Sequence, residues 1–113
     1  MKIRSIALLT AAVLLAAGLA VATEYVGADQ MTLNGRSRGN VAFPHHEHQK
    51  VVGDCSVCHT LFPQETGAID AKKDAGELNA KQVMNTLCIK CHREKKSAGE
   101  ATGPVSCSQC HKR

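Results

Sequence analysis

The hydrophobic residues of the chain are concentrated at its amino terminus. Ile6 to Val21 is almost wholly apolar, follows the positive charges of Lys2 and Arg4, and ends in the small-x-small pattern Ala20-Val21-Ala22. This arrangement is typical of a signal peptide, with cleavage after Ala22. An uncleaved membrane anchor is the alternative, although the run is alanine-rich and short for a membrane span. We therefore expect a signal peptide in residues 1–22, an exported domain in residues 23–113, and a periplasmic location.

After residue 22, the apolar positions fall into short segments. Tyr25 to Leu33 and Asn40 to Phe43 predict two strands, and the turn residues that begin at Asn34-Gly35 predict a hairpin between them. A helix is predicted from about Leu78 to Lys96. Residues 60–77 and 93–105 contain glycine and proline and predict exposed links, the first with at most one helical turn.

The domain after residue 22 is small and poor in large apolar side chains. Of 113 residues, 91 remain without the first 22, the formal charge falls from +4 to +2, and only Tyr25, Phe43 and Phe62 are aromatic. A chain of this size buries too little apolar surface to offset its conformational entropy comfortably. Such domains are usually stabilised by disulfides, metals or cofactors. The six cysteines and six histidines are the candidates for this role.

All six cysteines belong to one repeated motif, C-x-x-C-H, which is the attachment signal for c-type haem. The two thiols add to the two vinyl groups on one edge of the porphyrin. The histidine after the second thiol can then reach the iron from the proximal face. The sequence therefore predicts three covalent haems c, held by Cys55, Cys58 and His59, by Cys88, Cys91 and His92, and by Cys107, Cys110 and His111.

Two other uses of the cysteines are open to an exported protein. Three disulfides would suit the compartment, but they leave the histidine after each pair unexplained. Structural zinc sites usually join two C-x-x-C pairs, and three pairs cannot be matched two by two. Three motifs that use every cysteine therefore favour haem.

The other three histidines, His45, His46 and His48, form a cluster after Pro44. Proline suits the first turn of a helix, where its missing N–H costs nothing. On such a helix His45 and His48 are three residues apart and share a face. Two imidazoles on one face can serve two neighbouring irons. Surface histidines beside a turn are the alternative.

The order of these features resembles the triheme cytochromes c7, a small branch of the class III (cytochrome c3-like) cytochromes. The resemblance rests on the signal peptide, on Phe43-Pro44-His45-His46-Glu47-His48-Gln49 and on the three motifs that follow, and it covers nearly the whole domain. It implies a mainly α, loop-rich cytochrome c3/c7-like fold with a small N-terminal two-stranded β-hairpin and a haem core. It also implies that His45 lies opposite His59 on the first haem and that His48 lies opposite His92 on the second.

Met84 stands where that family has its third distal histidine, four residues before Cys88. On an α-helix these two residues share a face, and the third haem, proximal to His111, is the natural target of the methionine. A thioether is a competent axial ligand, and it raises the potential above that of a bis-histidine haem. We predict Met84 as the third distal ligand. A core methionine, ligation by His46 or Met31, and an open third haem are the alternatives.

Three irons with two protein ligands each have no free position for a substrate, so electron transfer rather than catalysis is expected. The resemblance implies a periplasmic shuttle in metal- or sulfur-reducing bacteria. Its partners would be other cytochromes, inner-membrane quinol oxidases, and terminal or outer-membrane reductases. A small enzyme or sensor with an open third haem is the alternative, and a docked subunit of a reductase complex is a third possibility. We expect a monomer without stable membrane insertion after cleavage.

The charge pattern adds one candidate surface near the second and third motifs. Its basic residues predict a docking face for an acidic redox partner, and a solvated surface is the alternative. The small net charge and the lack of stacking aromatics argue against nucleic acid as a partner. The residues of this basic cluster are Lys90, Arg93, Lys95, Lys96, Lys112 and Arg113.

Overall fold

The computed structural model describes residues 24–113, so the predicted signal peptide lies outside the described residues. Three antiparallel strands, β1 (Gln30–Leu33), β2 (Asn40–Pro44) and β3 (His111–Lys112), form a sheet in that order. In the register of the sheet, Met31 of β1 lies opposite Phe43 of β2. The alternation along β1 and β2 turns Met31 and Phe43 inward, as expected for strands with one covered face.

The sheet differs from the predicted two-stranded hairpin in two respects. Residues 25–29 lie outside β1, and their polar contacts go to the first helix instead. The carboxyl terminus adds β3, in which His111 lies opposite Val41 of β2. A local pattern does not predict this pairing, because the two partners are far apart in the sequence.

The reversal between β1 and β2 is built from side-chain and glycine geometry. Asn34 Oδ1 accepts a hydrogen bond from the Arg36 backbone N–H at 2.9 Å, which is the local bonding that favours asparagine in turns. A 3₁₀ turn at Arg36–Arg38 follows. Gly39 then takes φ +93°, in a region that side chains rarely adopt.

The helices are short: α1 spans His45–Val52, α2 Ser56–His59, α3 Ala68–Asp74, α4 Ile89–Ser97 and α5 Cys107–Cys110. α1 begins directly after Pro44, which closes β2 because it has no N–H to donate. It ends at Gly53 in the left-handed conformation, where the Gly53 N–H donates to the Gln49 carbonyl. None of the helices within residues 24–113 is long and apolar enough to cross a membrane.

The helix that carries the second motif begins later than predicted. A π-helical turn, Met84–Cys88, leads directly into α4, and the helical residues run 82–97. The start is set by Asn79 and Gln82: the Asn79 N–H donates to Gln82 Oε1 at 3.0 Å, and the Gln82 N–H donates to the Asn79 carbonyl at 3.0 Å. A glutamine side chain that accepts from a backbone N–H three residues earlier supplies one half of a capping box at a helix amino terminus. Leu78 therefore lies in the link, where it is buried.

The link after the first motif contains α3, which is longer than the single turn predicted there. It follows Gly67 in the left-handed conformation. Asp70 Oδ2 accepts a hydrogen bond from Asn34 Nδ2 at 3.3 Å, and Asp74 forms an ion pair with Arg36. Polar contacts thus hold α3 against the β1–β2 turn. Hydrophobic periodicity in the sequence does not predict contacts of this kind.

Within residues 24–113, only the side chains of Ala68 and Leu78 are buried. The described polypeptide therefore has several short helices and a small sheet with little apolar packing of its own. The predicted fold class, mainly α and loop-rich with a small sheet, is confirmed, with β3 as the added strand.

Candidate haem-binding site

The three C-x-x-C-H motifs each lie on a helical turn. Cys55 directly precedes α2, Cys88 closes the π turn before α4, and Cys107 opens α5. Residues three apart on a helix share a face, so both thiols of a motif point to the same side. None of the six cysteines, all within residues 24–113, is joined to another in a disulfide. This arrangement suits attachment to two vinyl groups on one porphyrin edge.

Cys58 and Cys88 are half-buried cysteines of the first and second motifs. Burial raises the pKa of the Cys58 thiol, and the neighbouring Cys91 thiol raises it further. Burial also raises the pKa of Cys88, with added repulsion from Cys58 and Cys110. At both positions burial is the main reason that the thiolate form is disfavoured.

The two histidine pairs that the family resemblance implies lie with their rings close together. The rings of His45 and His59, the first histidine pair, have centroids 6.4 Å apart with an interplanar angle of 87°. The rings of His48 and His92, the second histidine pair, have centroids 6.2 Å apart with an interplanar angle of 29°. Each pair joins a residue of α1 to the last residue of an attachment motif.

The separation within each pair can be compared with the space that one metal ion needs. A metal–imidazole bond is about 2.0–2.1 Å long. The nitrogen of a five-membered ring with bonds of about 1.33 Å lies roughly 1.1 Å from the ring centre. Two rings that share one ion through facing nitrogens therefore have centres about 6.3 Å apart. Both observed separations, 6.4 and 6.2 Å, match this value. The histidine pairs fit a haem iron.

The orientation of five histidine rings follows from one kind of hydrogen bond, from Nδ1 to a backbone carbonyl. A carbonyl can only accept, so Nδ1 carries the proton and Nε2 keeps the lone pair that a metal requires. Such bonds fix the ring and raise its basicity as a ligand. The acceptors are Ala28 for His45 at 3.2 Å, Pro44 for His48 at 2.8 Å, Phe62 for His59 at 3.2 Å, Pro104 for His92 at 2.7 Å and Gly39 for His111 at 2.9 Å.

His46 has the opposite arrangement. Its Nε2 lies 2.9 Å from the Gly27 carbonyl, and its Nδ1 lies 3.6 Å from Asp29 Oδ1. The ring stacks on Tyr25 with centroids 5.2 Å apart. His46 Nε2, the nitrogen that the other five histidines keep free for a metal, donates to a backbone carbonyl instead. This geometry argues against His46 as the third distal ligand.

The remaining histidine, His111, is therefore left without a histidine partner within the described residues. Met84 keeps its place as the predicted ligand, but its surroundings differ from the α-helical turn assumed from the sequence. It opens the π turn, and its carbonyl accepts from the N–H of Ile89 five residues later. A π turn is wider than an α turn, and such turns are frequent at functional sites.

Two glycines that the sequence marks only as turn residues lie close to the histidines of the second and third motifs. A Cβ on Gly103 would lie 2.5 Å from His92 Cε1, and a Cβ on Gly35 would lie 1.8 Å from the Gly39 carbonyl oxygen and 2.7 Å from His111 Nδ1. Cβ atoms do not tolerate contacts of this length, so both positions need glycine. The only sequence signal for these roles was the presence of a glycine in a link.

The basic cluster near the second and third motifs is partly neutralised by local carboxylates. Lys90 Nζ lies 3.9 Å from Glu94 Oε1. Lys95 donates to Glu100 Oε2 at 2.7 Å, and that hydrogen bond raises the pKa of Lys95. Lys112 Nζ donates to the Ser108 carbonyl at 3.1 Å. The surface is therefore less strongly positive than the count of basic residues suggests.

The chain is similar to multihaem cytochromes along most of its length. A model of the class III cytochrome c family matches residues 21–111. Cytochrome c7 of Geobacter metallireducens is 37% identical over 97 residues, which cover 86% of this chain and 84% of that protein. PpcB, a cytochrome c7 from Geobacter sulfurreducens, is 34% identical, covers 76% of this chain and 100% of its own, and gives a TM-score of 0.52. The solution structure of the triheme cytochrome PpcA from Geobacter sulfurreducens gives 32% identity, the same coverage and a TM-score of 0.54.

Proposed function

This chain belongs to the class III cytochrome c family, and we propose that it is a periplasmic shuttle that passes electrons from inner-membrane donors to terminal or outer-membrane reductases. It carries three c-type haems and acts in electron transfer, as its cytochrome c7 relationship establishes.

The proposed ligand set assigns two axial groups to each iron. His59 and His45 serve the first haem, and His92 and His48 serve the second. The separation of the rings in each histidine pair, 6.4 and 6.2 Å, is the observation that carries this proposal. The third haem takes His111 as its proximal ligand, and Met84 is proposed as its distal ligand because the other histidines have different partners.

The chain's own residues hold the site in one geometry. Bound haem iron supplies a ferric/ferrous couple. The paired cysteines anchor each macrocycle edge, and the carbonyl acceptors hold each imidazole with Nε2 free. Since these donors are already oriented, a change in iron charge requires little movement of the protein. Two protein ligands on an iron also leave no position for a substrate, so we propose no catalytic residue and no enzymatic reaction.

The proposed location and partners rest on charge and on the amino terminus. The signal-peptide pattern of residues 1–22 favours cleavage after Ala22 and export to the periplasm. Part of the basic cluster near the second and third motifs has no carboxylate partner within residues 24–113, and this part favours an acidic docking partner. Its residues are Arg93, Lys96, Lys112 and Arg113. Such a surface mainly raises the rate of encounter, so electron exchange should slow as salt increases.

Spectroscopy of the purified ferric protein tests the ligand set. We expect three low-spin haems, one of them with the near-infrared charge-transfer band of a methionine–iron bond. Met84→His should abolish that band and lower one midpoint potential, because histidine replaces the ligand that raises it, while the other two potentials stay nearly unchanged. Met31→Leu, at a half-buried methionine in β1, is the matched control and should keep the band.

Two results would contradict parts of this proposal. A high-spin haem in the unmodified protein would mean that the third iron has an open position, which favours ligand binding or sensing over pure electron transfer. Loss of the band in Met31→Leu but not in Met84→His would transfer the third distal position to Met31.

A further inference from the structure

Residues 25–29, the N-terminal strap, lie along α1 and are fastened to it by polar contacts. The Val26 N–H donates to Gln49 Oε1 at 3.2 Å, and Gln49 Nε2 donates to the Val26 carbonyl at 2.8 Å. The His46 N–H donates to the Asp29 carbonyl at 3.3 Å. The Gln49 side-chain amide therefore pairs with both the N–H and the carbonyl of Val26, as the backbone of a neighbouring β-strand would. The strap is thus held at both ends.

The middle of the strap faces two adjacent histidines of α1. The Gly27 carbonyl accepts from His46 Nε2 at 2.9 Å, and the Ala28 carbonyl accepts from His45 Nδ1 at 3.2 Å. Consecutive peptide groups therefore bind neighbouring side chains. His46 fixes one peptide group, and the next orients His45.

The backbone of the strap depends on Gly27. This glycine has φ +80°, which only glycine adopts at little cost. A Cβ there would lie 3.4 Å from His45 Cε1, an ordinary contact distance, so the strap runs directly beside the His45 ring. The Tyr25 ring stacks on His46 with centroids 5.2 Å apart and adds an aromatic contact between the strap and α1.

We propose that His46 is a positioning residue for the first haem: through the strap it holds the Ala28 carbonyl against His45 and so sets the orientation and donor strength of that ligand. This inference rests on the proposed role of His45 as the distal ligand of the first haem. A carbonyl partner at Nδ1 makes an imidazole a stronger donor and fixes its ring. A stronger donor favours the ferric iron and lowers the potential.

The test uses the mature holoprotein with three substitutions on α1. His46→Ala removes the Nε2 contact. His46→Gln restores a donor near the same place, because a glutamine amide extends about as far as the distal imidazole nitrogen. Val51→Ala, at a side chain that is 55% exposed on the same helix, is the matched control. The readouts are the individual midpoint potentials and the affinity of the ferric protein for added imidazole.

We expect His46→Ala to raise the potential of the first haem and leave the other two in place. Added imidazole should then compete with His45 roughly 10-fold better, the lower end of the range for loss of such outer contacts. His46→Gln should recover most of both changes, and Val51→Ala should show neither. An equal shift of all three potentials, or no shift in His46→Ala, would overturn the proposal, because a merely structural role predicts one of these.

Two further variants separate this inference from the ligand assignment beneath it. His45→Ala should make the first haem high-spin. If it does, while His46→Ala has no effect, the positioning role alone is wrong; if the haem stays low-spin, the ligand assignment fails and the inference with it. Should His46→Ala yield no holoprotein, Gln49→Ala loosens the strap from a residue farther along α1. It should raise the same potential, and an unchanged potential would count against the proposal.

Discussion

Gly103→Ala is expected to disturb the second haem through His92, the proposed proximal ligand. Residues 102–104 wrap around His92: Thr102 Oγ1 donates to the His92 carbonyl at 3.2 Å, and His92 Nδ1 donates to the Pro104 carbonyl at 2.7 Å. A Cβ on Gly103 would lie 2.5 Å from Cε1, 2.9 Å from Nε2 and 3.1 Å from Nδ1 of that ring. The added methyl group and the imidazole cannot both stay in place.

The size of the effect follows from these distances. Optimal contacts between carbon atoms are about 3.5–4.0 Å, so the ring and the link must separate by roughly 1 Å. Overpacking of this kind costs about 1–3 kcal/mol, and loss of the Nδ1 hydrogen bond adds about 0.5–1.5 kcal/mol. We expect the free energy of unfolding of the holoprotein to fall by about 2–4 kcal/mol. The midpoint potential of the second haem should rise, because its proximal ligand becomes a weaker donor.

Guanidinium unfolding, followed by the Soret band, and haem-resolved redox titration measure the two effects. Gly99→Ala is the matched control in the same link: Gly99 has φ +75° and no neighbour within 4 Å of a built Cβ. It should cost about 1–2 kcal/mol for the left-handed backbone without moving any potential. If Gly103→Ala behaves like Gly99→Ala in both assays, the close approach of this link to His92 is refuted.

Three further predictions address other parts of the molecule. The ring planes are 87° apart in the first histidine pair and 29° apart in the second. Because nearly perpendicular planes leave two iron d orbitals close in energy, the first haem should have the larger gmax in the ferric EPR spectrum. Equal gmax values for the two haems would contradict this geometry. Asp54 Oδ1 accepts from the Ser56 N–H and hydroxyl, which lowers the pKa of Asp54, so Asp54→Ala should lower the melting temperature at neutral pH. Its difference from the unmodified protein should begin to shrink as the pH falls below about 4, the ordinary pKa of an aspartate, and should vanish only below the lowered pKa of the folded protein. Arg36 has φ +51°, and its side chain forms an exposed ion pair. Arg36→Gly should therefore raise the melting temperature by relieving the backbone, whereas Asp74→Asn should change it little. A lower melting temperature in Arg36→Gly would show that the ion pair outweighs the backbone strain.

The chemistry of this protein was predictable because the groups that perform it are encoded locally. A thiol, a second thiol and an imidazole within five residues define one attachment site, wherever the chain places them. The three-residue spacing of His45 and His48 likewise defines one helix face. The pairing of these histidines with His59 and His92 came from family resemblance, and the ring separations agree with it.

The orientation of the ligands could not be predicted in the same way. The carbonyls that accept from His45 and His111 lie 17 and 72 residues away in the sequence. The length of α3 was underestimated because this helix is held by polar contacts to the β1–β2 turn rather than by an apolar face. The role of His46 became visible only when the strap was seen against α1.

By itself, the sequence predicted the number of haems, which the comparisons confirm, and proposed attachment points and residue types able to hold iron, because covalent attachment depends on neighbours along the chain. Tertiary structure alone decided which carbonyl accepts from each imidazole, which positions have no room for a Cβ, and which histidine donates Nε2 to the backbone. These features depend on distances between remote segments. With only Ala68 and Leu78 buried among residues 24–113, no apolar core pattern exists in the sequence from which those distances could be inferred.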